Sequence, residues 1–359
     1  MSLIENRVEK LREKLADESL EGMLVTNLTN VRYLSGFSGS AGTCLILPEK
    51  AYFVSDGRYE TQSSQQVVGM EILIGVDPHP KIIRKAKLVP DGIRIAFETE
   101  HVSVSYAKKL RDLFPACNWE ATTDMVEKIA MVKDRGEIRA TRTAVEITDQ
   151  TFEQIVPAIR PGVTEREIAS KISYIYKMFG ADGDAFDCIV AGGPNSALPH
   201  ARPGDRIIQE GDFVILDFGA FYQGYHADMT RTVVVADASD RHKEVYEIVH
   251  EAQRLGCEAA KDGVACKEVD SACRDYIAES GYGDYFNHGT GHGLGLEIHT
   301  NPRFSQLSKD HIYENYLMTI EPGIYIPDWG GVRIEDDILV TSNGCEILNQ
   351  STKEMLVLN

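Results

Sequence analysis

The sequence predicts an α+β chain in two parts: a smaller α/β domain over residues 1–122 and a larger α+β domain over residues 123–359. Three observations lead there. The leading 122 residues interleave short apolar strand-like runs with helical spacing, the pattern of a layered α/β unit. From Asp124 onward the texture shifts to longer amphipathic helices. Within that second part, two apolar runs double back across polar turns, each run carrying an acid.

In the first part, Arg7 to Leu20 reads as an amphipathic helix with Val8, Leu11 and Leu15 on one face. GMLVT, TCLILP, AYFVSD, EILIG and RIAFE follow as strands, and residues 105–114 (SYAKKLRDLF) form the last helix. The domain boundary is expected between Asn118 and Thr123. In the second part, residues 134–158 hold apolar positions at helical spacing and stop near Pro161-Gly162. The next helix opens on a capping box, Thr164 with Glu167. CIVAGG and FVILDFGA are strand-like, helices are expected over His242–Lys261 and Lys267–Ser280, and CEILN closes the domain as a strand.

Asp217 ends the run FVILD, and Asp228 lies in YHADMTRTVVV. A hairpin centred between Tyr222 and Gln223 sets these two directly opposite, about 5 Å apart at Cβ. Glu321, in TIEPGIYI, and Glu335, in VRIEDDILV, mirror each other about Asp328 in the same way. HGTGHGLGLEIH, between the two pairs, supplies His292. A lone acid at a strand end is usually a turn or cap residue, and EPG is usually a turn. Four acids ending or lying inside apolar strands are costly to bury unless paired or metal-bound. Four carboxylates and one imidazole suit two hard-to-borderline divalent ions better than one zinc. The chemistry implied is two-metal hydrolysis. The Gly-rich GTGHGLG lacks GxGxxG and any P-loop lysine, which excludes a phosphate cradle.

LDFGAFYQGYHADMTRT, HGTGHGLGLEIH, TIEPGIY and GVRIEDD, in this order, resemble the pita-bread metallopeptidases, in their Xaa-Pro aminopeptidase and prolidase branch. NVRYLSGFSGSAG and SDGRYETQ resemble that branch's creatinase-type leading domain. The resemblance implies metal ligation by Asp217, Asp228, His292, Glu321 and Glu335, with Asp228 and Glu335 bridging the ions and Glu321 also moving the proton. It implies that His200, in NSALPHARP, and His299 handle the scissile carbonyl from opposite sides. Arg333, two residues before Glu335, is expected to pair with the carboxylate cluster or the substrate's acid end; Arg303 is the alternative for the latter, and Tyr325 a further donor. His288 is expected to stand behind the ligands or in the core. Relatives usually carry an acid where Thr300 stands, which leaves metal binding intact and puts substrate orientation in question.

The implied activity is cleavage between an N-terminal residue and a following proline, whose tertiary amide resists ordinary peptidases. Manganese is the expected metal, with cobalt or zinc as alternatives. GFSGSAG and DGRYETQ lean towards an Xaa-Pro aminopeptidase; a dipeptidase restricted to Xaa-Pro is the alternative. A methionine aminopeptidase needs no such leading domain, and inactive binding relatives or metal-free creatinase-like hydrolases lose ligands retained here. The net charge of −18 argues against nucleic acid and anionic membranes as partners. Seven scattered cysteines without CxxC spacing point to reduced thiols. No apolar run reaches membrane-spanning length and the N-terminus reads as a charged helix, so a cytoplasmic protein is expected. Proline-containing peptides are the expected partners, and a homodimer is expected from the resemblance alone.

Overall fold

Burial of continuous apolar runs organises the first unit, Met1–Ala130, around a six-stranded mixed sheet. The computed structural model describes residues 2–359. In spatial order the strands are Glu71–Ile74, Ala51–Ser55, Thr43–Ile46, Gly22–Val25, Arg94–Glu98 and Asn118–Thr122. Leu24, Leu45, Val54 and Ile95 pack from the sheet against Leu110 and Phe114. The sixth strand falls where the boundary was expected. NWEAT is too short and polar to read as a strand alone, and it forms one by pairing in parallel with Arg94–Glu98. The helix Met125–Ala130 also belongs to this unit, so the compact units divide after Ala130, beyond the 122/123 division read from the sequence.

In the second unit, Met131–Asn359, two long helices open the chain. Arg135–Ile155 begins on an Asp134/Glu137 capping box, and Glu165–Met178 on Thr164/Glu167, each cap contributing about 1 kcal/mol. Their apolar faces cover the strands Ile189–Gly192, Phe213–Phe218 and Met229–Val235 through Ile168, Ile172, Val214 and Leu216. The helices Asp240–Ala259 and Cys266–Glu279 cover the second half in the same way, through Val249, Val269, Ile320 and Ile338. That half is a five-stranded sheet with Leu317–Ile320 and Asp336–Thr341 at its centre, continued outward by the ribbon Gly323–Ile326/Gly330–Arg333. A helix pair and an acid-bearing ribbon thus recur in each half, the pita-bread arrangement. The terminal strand Leu356–Leu358, not foreseen, pairs in parallel with Met229–Val235.

The two ribbons differ in how their registers were anticipated. The second is symmetric about Asp328, with Gly323 opposite Arg333 and Ile320 opposite Asp336, so Glu321 and Glu335 face each other between these pairs. In the first, Tyr222 pairs with Tyr225 and Asp217 with Thr230 rather than with Asp228. Gln223 and Gly224 both have positive φ, at 48° and 88°, as a two-residue type I′ turn requires. That turn centres between Gln223 and Gly224 and moves every partner. Asp228 becomes the diagonal neighbour of Asp217, still on the same face.

Candidate metal centre

Three of the five expected ligands sit at interruptions or ends of strands, where a side chain can leave the alternation of the sheet, while Asp217 lies within Phe213–Phe218 and His292 within Gly291–Gly293. Asp228 directly precedes Met229–Val235, Glu321 directly follows Leu317–Ile320, and Glu335 lies between Arg333 and Asp336, where one strand ends and the next begins. Gly219 makes the Asp228 corner possible. A Cβ there would stand 1.7 Å from the Ala227 carbonyl oxygen, so only glycine admits this approach. Asp217, Asp228, His292, Glu321 and Glu335 all line one cavity of about 450 Å³.

Ligand atoms of Asp228, His292 and Glu335 lie within 4.8 Å of one another. His292 Nε2 is 3.6 Å from Asp228 Oδ2 and 3.5 Å from Glu321 Oε1. Asp217 Oδ2 instead accepts from the Arg333 guanidinium. Burial pushes Asp228 well above the usual carboxylate range, with the charges of Glu335 and Asp217 adding to it. Burial and the charges of Glu321 and Asp217 do the same to Glu335. Glu321 is pushed up to about 7, chiefly by burial. His292 is held down to about 3 by burial and then by His299, so its imidazole is neutral.

These residues fit a pair of divalent cations. Asp217 Oδ1, Asp228 Oδ1 and Glu335 Oε1 are buried and have no hydrogen-bond partner in the protein, an arrangement costly for anions unless a cation meets them. His292 Nδ1 stands 3.1 Å from the Gly293 carbonyl, which only a protonated nitrogen can satisfy. Nε2 therefore turns a lone pair towards the carboxylates. One buried guanidinium leaves the four carboxylates under-compensated.

Residues that the sequence reading passed over orient this set. Thr230 Oγ1 donates to Glu335 Oε2 at 2.6 Å, and Thr319 Oγ1 lies 3.4 Å from Glu321 Oε1 while accepting from the His292 backbone N–H. Asp337 Oδ2 accepts from the Asp228 backbone N–H at 2.9 Å. The period of two in ADMTRT puts Thr230 on the face of Asp228, the one signal that could have found it.

His200 is exposed on the cavity wall, and His299 also lines it, edge-on to His292 with ring centroids 4.5 Å apart. His288 lines it too, with Nε2 2.8 Å from the Tyr325 hydroxyl. Arg333 is placed against the carboxylate cluster. It is buried, and besides Asp217 it donates to the Tyr325 hydroxyl, the Pro199 carbonyl and Thr230 Oγ1. Tyr325 was expected as a further donor. Its hydroxyl is enclosed between His288 and Arg333, and Tyr325 is not among the residues that line the cavity. Arg303 is exposed on the wall, and among the described residues no acid pairs with it. Thr300 Oγ1 is a buried atom without a hydrogen-bond partner.

A helix-flanked pair of ribbons converging four acids and an imidazole on one cavity defines a pita-bread metallohydrolase. The metallopeptidase family M24 pattern matches residues 139–342, and the creatinase/prolidase N-terminal domain matches residues 7–132. The chain belongs to this metallopeptidase family. It is 37% identical to the Xaa-Pro dipeptidase of Pyrococcus horikoshii over 358 residues, covering 99% of this chain and 100% of that one. Among solved structures it is similar to an Xaa-Pro dipeptidase from Bacillus anthracis, with TM-score 0.95 and 41% identity over 99% of this chain and 100% of that one. It is also similar to an X-Pro aminopeptidase from Thermotoga maritima, with TM-score 0.90 and 38% identity over 95% of this chain and 98% of that one.

Proposed function

We propose that the chain is an Xaa-Pro dipeptidase that hydrolyses the bond between an N-terminal residue and a C-terminal proline. The observation that carries the dipeptide preference is Arg303, an unpaired guanidinium on the cavity wall whose charge reaches His292, His299 and Glu321. The proline of a dipeptide ends in a carboxylate one residue past the scissile bond, and a guanidinium there recognises it. A longer peptide presents a neutral amide instead. Relatives along the whole chain that are named Xaa-Pro dipeptidases support this reading. The aminopeptidase that the leading-domain motif favoured is kept as the second reading, supported by the Thermotoga neighbour.

In this reading Asp217, Asp228, His292, Glu321 and Glu335 hold two divalent ions, manganese first. When bound, such ions supply Lewis acidity and a nucleophile usable at neutral pH. The protein's own groups do the rest. Glu321 accepts the nucleophile's proton and returns it to the leaving proline nitrogen, a task suited to a carboxyl raised towards neutrality chiefly by burial. His200 and His299 donate to the carbonyl oxygen as charge develops on it. Arg333 keeps Asp217 in place, and Arg303 anchors the substrate carboxylate. A homodimer working in the cytoplasm completes the proposal; among the described residues no helix is long and apolar enough to cross a membrane.

Initial rates on Ala-Pro, Ala-Pro-Ala and Ala-Ala, with manganese supplied, test it. Ala-Pro should be cut at least about tenfold faster than Ala-Pro-Ala, the scale of one lost charge-assisted contact. Preference for Ala-Pro-Ala would establish the aminopeptidase reading, and equal cleavage of Ala-Ala would remove proline specificity altogether.

A further inference from the structure

Beneath the acid cluster lies an arginine that the hydrolytic mechanism does not use. Arg231 is 1% exposed, and all five of its guanidinium N–H groups have acceptors. Nη1 donates to the carbonyls of Thr230 at 2.9 Å and Glu335 at 2.6 Å. Nη2 donates to Asp336 Oδ1 at 2.7 Å and the Ser351 carbonyl at 2.9 Å; Nε donates to the Thr352 carbonyl at 3.0 Å. The other oxygen of Asp336 accepts from Lys353 Nζ and Gln253 Nε2.

A buried ion pair is weak evidence for stability by itself, since desolvation offsets most of the attraction. What Arg231 touches is more informative. Its Nη1 spans the two strands that carry Asp228 and Glu335, the candidate bridging acids from opposite halves of the domain. At this junction Glu335 N–H donates to the Thr230 carbonyl, the Thr230 hydroxyl meets Glu335, and the guanidinium closes the remaining side.

We propose that Arg231 is a positioning residue that sets the separation of Asp228 and Glu335, so that tight uptake of both metal ions depends on it. The inference rests on the dinuclear reading above. Replacement by lysine keeps a charge for Asp336 but cannot span both carbonyls.

The test is a titration of chelator-stripped protein with cobalt(II), followed by visible absorption, beside thermal melting of the same metal-free samples. Wild type should take up two ions. Arg231→Lys should bind the weaker-held ion at least about tenfold less tightly, with an altered absorption band, as is typical when a group behind a ligand is lost. Because that variant risks misfolding, the charge-free pair Arg231→Met with Asp336→Leu is titrated too and should show the same loss. Lys353→Met, which removes the second cation on Asp336 but leaves both carbonyl contacts of Arg231 in place, should lower the melting temperature yet keep the wild-type titration.

Wild-type titration and spectrum in both Arg231 variants would overturn the positioning role. So would equal loss in Lys353→Met, because general loosening would then suffice. A wild type that takes up fewer than two ions would instead strike at the dinuclear reading itself, and the inference would fall with it.

Discussion

At the scale of single residues, the roles divide between groups that would hold metal and groups that would meet substrate. His292 is buried with Nε2 among the acids, whereas His200 and His299 stand on the exposed wall. Replacing His200 or His299 by Ala should leave metal content and melting temperature nearly unchanged while the rate falls on the order of a hundredfold, the usual cost of an oxyanion donor. His292→Ala should lose both metal and rate. Elemental analysis beside kinetics decides, and metal loss from His299→Ala would show these roles misassigned. The acids make a second prediction. Asp228, Glu335 and Glu321 titrate above their ordinary range in the fold, Glu321 at about 7, so these carboxyls hold more protons in the folded chain than in the unfolded one from about 4.5 to about 7. The contribution of these acids to the stability of chelator-treated protein should therefore fall as pH rises through that window, against the opposite slope of His292 and His288, which burial holds down to about 3 and about 4. Added manganese should raise the melting temperature more near pH 7 than near pH 5. An equal rise at both would contradict the account.

At the scale of elements, the lesson lies in the two ribbons. The mirror of acids about Asp328 was readable because that loop is symmetric in the sequence. The mirror about Tyr222 and Gln223 was off because turn chemistry, with two positive-φ residues, outweighs a pattern of acids. The corner at Gly219 is the sharpest constraint left in that ribbon. Gly219→Ala should cost at least about 1–3 kcal/mol, measured by denaturant unfolding, because its Cβ must displace the Ala227 carbonyl next to Asp228. Metal affinity should fall with it, and an unchanged variant would show that the corner yields freely. Helices with capping boxes were legible to within a few residues, as Glu165–Met178 shows. Asn118–Thr122 and Leu356–Leu358 were not, since each is a strand only by virtue of its partner.

At the scale of the whole molecule, the convergence of acids was legible because burying them in apolar strands demands a cation. The framework that aims them was not. Thr230, Thr319, Arg231 and Asp337 look like ordinary strand residues until long-range contacts, such as Arg231 with Ser351 and Thr352, bring them together. The enclosure of Tyr325 was hidden for the same reason, since its partners His288 and Arg333 come from separate segments. The central claim is that four carboxylates and one histidine hold two ions on which peptide hydrolysis depends. Its most direct test is manganese stoichiometry measured together with Ala-Pro hydrolysis in wild type and in Asp228→Ala and Glu335→Ala. The account predicts about two ions per chain in wild type, with loss of at least one ion and of activity in both variants. Full activity in either variant, or hydrolysis by wild type stripped of metal, would contradict it.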